Sequence, residues 1–314
     1  MSPRGEPLIS PYRAESASIL PNPPGTQLPT APPTEEESRC WGEALPRIAG
    51  ATHVGVVRNV NQDAFGRFDD DGRSEILLVV ADGLGGHRGG EVASRLAVDL
   101  LGRHFVEGDG DPAARLTQAI SNVNREILRQ AGEDRALKGM GTTVVCLLMA
   151  LDGRSYVAHV GDSRLYRLRT GQIEVLTEDH SLVATLVREG VLSEEEARHD
   201  PRRNQILQAL GVREDLEIDV APVSPQPGDA YLLCSDGLHG LLEDHEIGRL
   251  AGLSDEPETA IEKLIAAAND AGGTDNVTCL LARIPPAQPF PTLRAGAARI
   301  LEATRDLLGK NDNE

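Results

Sequence analysis

"ILLVVADGLGGHRGG", residues 76–90, runs from five apolar residues into Asp82 and then through a glycine-rich loop with one histidine. A helical pattern follows, from Gly90 to Phe105. Two readings compete, and they imply different folds. A phosphate cradle would open a parallel α/β sheet. A metal site would bring a strand-end carboxylate and bare backbone close to an ion. A nucleotide-hydrolase phosphate loop ends in Gly-Lys-Ser/Thr, and that ending does not occur here. A dinucleotide fingerprint places G-x-G-x-x-G between a strand and a helix and continues into parallel strands. Here the glycines begin only after Asp82, and the downstream pattern is not parallel.

Short Val- and Leu-rich runs at 142–150, 155–161, 163–169, 230–234 and 277–284 read as strands. "DGR" (152–154) and "TGQ" (170–172) are turn signals between successive runs, which predicts hairpins in an antiparallel meander. Pro112 to Gln130 reads as a second helix, with Leu116, Ile120, Val123, Ile127 and Leu128 on one stripe. Asp255, with Glu258 three positions on, is read as the cap of a third, whose buried face is Ile261, Leu264, Ile265 and Ala268. This order predicts an α+β layered fold, not alternating βαβ units.

Of the 314 residues 40% are apolar and only 3% aromatic, so the core must rest on aliphatic side chains. The formal charge of -18 argues against nucleic acid or an anionic membrane as partner, since both need a basic surface. Cys40, Cys146, Cys234 and Cys279 form no CxxC pair, and the last three lie inside strand-like runs as small hydrophobes. No leader segment is visible at the start, and the longest apolar run, Val144 to Leu151, is too short to span a bilayer. A cytoplasmic monomer is expected. Residues 1–47 hold ten of the twenty prolines and are expected to be a disordered tail, with Trp41 packing on the domain edge. Residues 285–314 read as a proline-rich linker and an amphipathic helix carrying Leu293, Ala297, Ile300, Leu301, Thr304 and Leu308.

The arrangement at Asp82 recurs. Asp236 follows an apolar run in "CSDGLHG", Asp162 follows "YVAHV" in "GDSRL", and Asp275 precedes the last strand in "GGTDNVT". One such aspartate is usually a turn or cap residue. Four in one domain suggest an oxygen-ligand site for Mg²⁺ or Mn²⁺. Glycine after the aspartate would let a backbone carbonyl approach the ion.

"RNVNQDAF" (58–65), "VADGLGGHRGGEVAS" (80–94), "GMGTT" (139–143), "VGDSRLYRL" (160–168), "LTEDHSLV" (176–183), "LLCSDGL" (232–238) and "GGTDNVT" (272–278) occur in this order. In these motifs, spread over about Ile48 to Ile284, the chain resembles bacterial metal-dependent serine/threonine protein phosphatases of the type 2C (PPM) family. The resemblance implies a four-layer αββα sandwich, two antiparallel β-sheets flanked by helices, over residues 48–284. It implies that Asp82 bridges two Mn²⁺ or Mg²⁺ ions, that the Gly83 carbonyl binds the second, and that Asp236 and Asp275 complete the first. It implies that Asp162 with Asp236 holds a weaker third ion, that Arg58 holds the substrate phosphate, and that Asp63 orients metal-bound water. Catalysis would be direct attack of a metal-bridging hydroxide on phosphoserine or phosphothreonine in proteins, opposing a Ser/Thr kinase.

A nucleophilic cysteine would need a CxxxxxR pattern, which is absent. A nuclease would need a basic groove. An inactive regulatory relative would lack one or more of the aspartates. Gln62 stands where some relatives carry Glu, and Leu84 where a proposed acid histidine stands in eukaryotic ones. His87 is read as shaping its loop, His159 as a packed core residue and His239 as a surface residue. Residues 177–206 resemble the family's flap, where Arg202 and Arg203 could meet a phosphorylated peptide.

Overall fold

The computed structural model describes residues 8–10, 45–85, 89–150 and 153–286. Strand β4 (Glu75–Leu84) is buried on both faces, which is why its apolar run does not alternate. Leu77, Val79 and Ala81 face one core, while Ile76, Leu78 and Val80 face another. The same division holds along β6 (Val144–Ala150), with Val144, Cys146 and Leu148 on one side and Val145, Leu147 and Met149 on the other.

Both strands belong to a sheet ordered β10 (Asp219–Val223), β7 (Ser155–Val160), β6, β4, β3 (Asp63–Asp70), with the two-residue β5 (Gly141–Thr142) also paired to β4. The second sheet is ordered β1 (Leu8–Ser10), β2 (Arg47–His53), β12 (Val277–Arg283), β11 (Ala230–Cys234), β8 (Arg164–Arg169), β9 (Gln172–Val175). All ladders are antiparallel. Tyr231, Leu233, Leu280 and Ala282 of the second sheet meet Leu78, Val80, Val145 and Leu147 of the first in the layer between them.

Helices α1 (Gly89–Glu107) and α2 (Pro112–Glu133) cover the first sheet through Ala97, Leu101, Phe105, Leu116, Ile120 and Ile127. Two short helices, α3 (Leu182–Arg188) and α4 (Glu194–His199), lie between β9 and β10. The second sheet is covered by α6 (Asp244–Gly252) and α7 (Pro257–Asp270), with the one-turn α5 (Asp236–His239) at its end. The architecture is the expected αββα sandwich of two antiparallel sheets flanked by helices.

Four local expectations are corrected. The expected pairs β6/β7 and β8/β9 form, but β7 and β8 do not pair, so the meander breaks at Gly161–Ser163 and the chain crosses to the other sheet. The cap of α7 is Glu256 rather than Asp255, because Pro257 takes the first helical position, and it makes no side-chain cap bond. Leu128 lies outside the α1/α2 core, at the edge of its stripe. The span expected to be a disordered tail contributes β1, which pairs with β2 (Leu8↔Thr52, Ser10↔Gly50), and β2 itself starts at Arg47. Leu8-Ile9 is an apolar pair between Pro7 and Pro11, enough to extend one exposed edge. Trp41, Cys40 and the C-terminal helix expected over 293–308 lie outside the described residues.

Candidate metal centre

The chain crosses between the sheets at 54–62, from β2 to β3, and at 161–163, from β7 to β8. Both crossings lie at one end of the inter-sheet layer, and the expected site residues collect there. Asp82 continues the face of Ile76, Leu78 and Val80, so it emerges where that layer opens. Asp63 lies directly opposite it in the β3/β4 register. Asp236 opens α5 after β11, and Asp275 precedes β12, the neighbour of β11.

Asp63 and Asp82 are held by partners distant in sequence. Asp63 Oδ2 accepts from Ser235 Oγ at 2.7 Å and Thr278 Oγ1 at 2.6 Å, so a residue of the first sheet is bolted to the second. The Asp82 amide donates to Thr143 Oγ1 at 3.0 Å, and its carbonyl accepts from the Thr143 amide and the Thr142 hydroxyl, both at 2.8 Å. Thr143 Oγ1 also lies 2.7 Å from Ser163 Oγ, which ties Asp82 to the second crossing. Asn276 secures the first crossing: its Nδ2 donates to the carbonyls of Val54 and Val60 at 3.0 Å, and its Oδ1 accepts from the Gln62 amide at 2.8 Å.

Glycine is required at two points by close backbone approach. A Cβ on Gly83 would stand 2.2 Å from the Gly90 carbonyl oxygen, and one on Gly237 would stand 1.9 Å from that of Asn276. The Gly83 carbonyl itself faces the first turn of α1, 2.6 Å from where a Gly90 Cβ would be.

Ser235, Thr278, Thr143 and Asn276 organise the centre although nothing in their local sequence marks them, and all four lie within its motifs. His239 is a correction. Expected at the surface, it is buried, and its Nε2 donates to the Asp162 carbonyl at 2.9 Å. The second crossing brings that carbonyl over α5, and a polar ring is drawn inside to satisfy it. His159 is buried as expected. Within 177–206, Arg202 is committed to Asp200 through two hydrogen bonds of 2.9 and 2.7 Å. The base of this segment is pinned by the Ser181↔Ile206 bridge and by the Leu207 amide on the His180 carbonyl at 2.7 Å. His87 lies outside the described residues.

The electrostatics are those of a group built for positive charge. Burial, and then Asp63, Asp236, Asp162 and Asp275, push Asp82 well above the usual carboxylate range. Asp162 is raised in the same way by burial and by Asp236. Asp63 is raised to about 7, mainly by burial, with Ser235 and Thr278 opposing. Asp236 is raised to about 6 by burial and Asp275, while a hydrogen bond with Asp82 and the charge of Arg58 pull it down. Asp162 Oδ1 is buried with no hydrogen-bond partner among the described residues. Mutually repelling carboxylates, an orphaned oxygen and a donor set made only of oxygen fit hard divalent cations. Arg58 stands at the rim, with Nη2 2.5 Å from Asp275 Oδ2.

A second cluster of ligand-type side chains is separate from this centre. Donor atoms of His159, His180 and Asp219 lie within 4.8 Å of one another. Their hydrogen bonds assign them a different role. His159 Nε2 donates to the Glu178 carbonyl at 2.7 Å, and His180 Nδ1 accepts from the Gly161 amide at 3.3 Å. That leaves the His180 proton on Nε2, 3.6 Å from Asp219 Oδ2, and so not available as a ligand lone pair. The trio ties β7, β10 and the base of the 177–206 segment together.

Fold and site thus define a four-layer sandwich with a carboxylate centre for hard cations where the chain changes sheets. Residues 49–281 match the family described as Protein phosphatase 2C. The serine/threonine phosphatase stp of Listeria innocua is 40% identical over 235 residues, 73% of this chain and 92% of the relative. The crystal structure of Stp1 from Staphylococcus aureus superposes with a TM-score of 0.72 at 36% identity, covering 78% of this chain and 96% of that one. The catalytic domain of the phosphatase PstP in complex with two manganese ions superposes with a TM-score of 0.68 at 36% identity, covering 77% and 99%. The chain belongs to the protein phosphatase 2C family. It is a serine/threonine phosphatase.

Proposed function

We propose that the aspartate group is the catalytic centre of a divalent-cation-dependent enzyme that hydrolyses phosphoserine and phosphothreonine in proteins. The observation that carries this reading is the set of mutually repelling carboxylates, Asp63 and Asp162 buried and Asp82 and Asp236 half-buried, with Asp275 and Arg58 at their rim. Asp82, the Gly83 carbonyl, Asp236 and Asp275 would hold two ions, and Asp162 with Asp236 a weaker third. When bound, the ions supply an acidified water and offset the charge that builds on phosphorus. The two manganese ions of the PstP complex support Mn²⁺ as one such ion.

Arg58 takes the substrate phosphate. Its planar fork suits paired oxygens, and it would exchange the Asp275 carboxylate for the phosphoryl group. Asp63 orients the attacking water, held in place by Ser235 and Thr278 through Oδ2. A thiol nucleophile is a poor alternative, because Cys146, Cys234 and Cys279 are buried and burial pushes their thiols up. The presence of Arg58 and all five aspartates favours an active enzyme over a regulatory binding module. Its counterpart in the cell would be a Ser/Thr kinase.

No helix among the described residues is long and apolar enough to cross a membrane. The decisive experiment is phosphate release from a phosphothreonine peptide. Hydrolysis is expected with Mn²⁺ and is expected to stop on full chelation with EDTA. Activity that survives chelation would overturn the reading.

A further inference from the structure

Three of the nine exposed large hydrophobic side chains among the described residues fall in one short window: Val56, Val57 and Val60, exposed by 49%, 61% and 46%. Arg58 stands between them. The window is firmly held. The amides of Val56 and Val57 both donate to the Gly273 carbonyl, at 2.8 and 3.2 Å, and Asn276 takes the Val60 carbonyl. Val56 also packs on Gly273, where an added Cβ would stand 2.9 Å from its Cγ2. Single exposed valines are ordinary; three on a clamped crossing around one arginine are a presented surface. Because the backbone is already fixed, a ligand that covers them meets little ordering cost.

We propose that Val56, Val57 and Val60 form an apolar collar that receives the side chains on either side of the phosphorylated residue, so that the preferred substrate is a phosphopeptide with aliphatic neighbours. The inference rests on the reading of Arg58 as the phosphate-binding residue. Arg58 lies within two residues of each valine on the same clamped segment, so a peptide that brings its phosphate to the guanidinium is brought to this exposed apolar stretch. The net charge of -18 disfavours acidic neighbours in the same position and disfavours a second copy of the chain as the occupant.

The test uses the full chain with Mn²⁺ and two phosphothreonine peptides, one with leucine on both sides of the phosphorylated residue and one with serine on both sides. The wild-type enzyme should favour the leucine peptide about 10-fold in kcat/KM, which is what partial burial of one leucine supplies, and the difference should lie in KM. In the Val57→Ser/Val60→Ser double variant the preference should fall to within roughly twofold, with kcat on the serine peptide unchanged; both changes are at exposed positions. Equal use of both peptides by the wild-type enzyme overturns the collar alone, as does a double variant that keeps the wild-type ratio. Hydrolysis of neither peptide overturns the phosphatase reading and the collar with it.

Discussion

Arg58 Nη2 and Asp275 Oδ2 lie 2.5 Å apart, although 217 residues separate them in the chain. The pair joins the first crossing to the loop before β12, and it joins the two roles assigned to the site, phosphate binding and cation binding. Arg58→Ala should therefore raise KM for a phosphothreonine peptide more than it lowers kcat. Loss of a charge-assisted hydrogen bond is worth about 1.5–3 kcal/mol, so kcat/KM should drop roughly 10- to 100-fold. Arg58→Lys should recover only part of this, because an ammonium cannot form the bidentate fork. Steady-state kinetics with the three proteins check it; an unchanged KM in the alanine variant would remove Arg58 from the phosphate site.

Asp236 should be costly to the metal-free fold and indispensable to the loaded enzyme. Its carboxyl is pushed up to about 6 by burial and by Asp275. Asp236→Asn removes one charge from the group while keeping its shape. In EDTA at pH 8 the variant should be more stable than the wild type, by roughly 1–3 kcal/mol on the scale of the pKa shift. Its Mn²⁺-dependent turnover should fall at least about 100-fold. Urea denaturation and peptide hydrolysis on the same preparation separate the two effects. Wild-type turnover in the variant would mean that Asp236 is not a ligand.

The same charges set a pH dependence for the metal-free protein. Asp63 at about 7 and Asp236 at about 6 bind protons more tightly in the fold than in the open chain. The stability they contribute is fully present below the ordinary carboxylate pKa and is lost as pH rises through 6 to 7. The buried His159 and His239 act in the opposite direction, since burial lowers both, but they do so only below the ordinary histidine pKa of about 6.5. Above about pH 7.5 the histidines are neutral in both states, while Asp82 and Asp162 and the buried thiols of Cys146, Cys234 and Cys279 act in the same direction as Asp63 and Asp236, so Tm in EDTA should fall from pH 7.5 to 8.5. Added Mn²⁺ should raise Tm most at the alkaline end, where the carboxylates are ionised. A Tm in EDTA that climbs over this range would contradict the assignment.

Much of this site was legible because its chemistry is local. A carboxylate at a strand end, followed by glycine, shows in a few residues, and so do the turns at 152–154 and 170–172. The crossing at Gly161–Ser163 was not legible. A tight turn reads the same whether the next strand pairs or changes sheets, and β7 and β8 each find their partners elsewhere in the chain. The supporting hydroxyls were not legible either. Ser235 reaches Asp63 across 172 residues, and a serine after a strand carries no mark of that partner. Strands β3 and β10 were missed because "DAFGRFDD" and "DVAPV" mix charge, glycine or proline into their runs. Both lie at the edges of the first sheet, where such residues are tolerated.

His239 gives the sharpest separation between the two descriptions of a residue. As a surface histidine, its replacement by alanine would change stability by less than about 0.5 kcal/mol. As the buried donor to the Asp162 carbonyl, its loss leaves an acceptor unpaired and a cavity beneath the second crossing. The expected cost is about 2–4 kcal/mol. Burial lowers its pKa to about 3, so the ring is neutral from pH 5 upward and donates through Nε2 throughout that range. His239→Gln, which keeps a donor at the end of a shorter planar group, should recover part of the loss. The weaker cation assigned to Asp162 should also bind less tightly in His239→Ala, because the backbone that presents Asp162 is no longer held. Chemical denaturation in EDTA and calorimetric titration with Mn²⁺ measure the two consequences independently, and an alanine variant as stable as the wild type would return His239 to the surface.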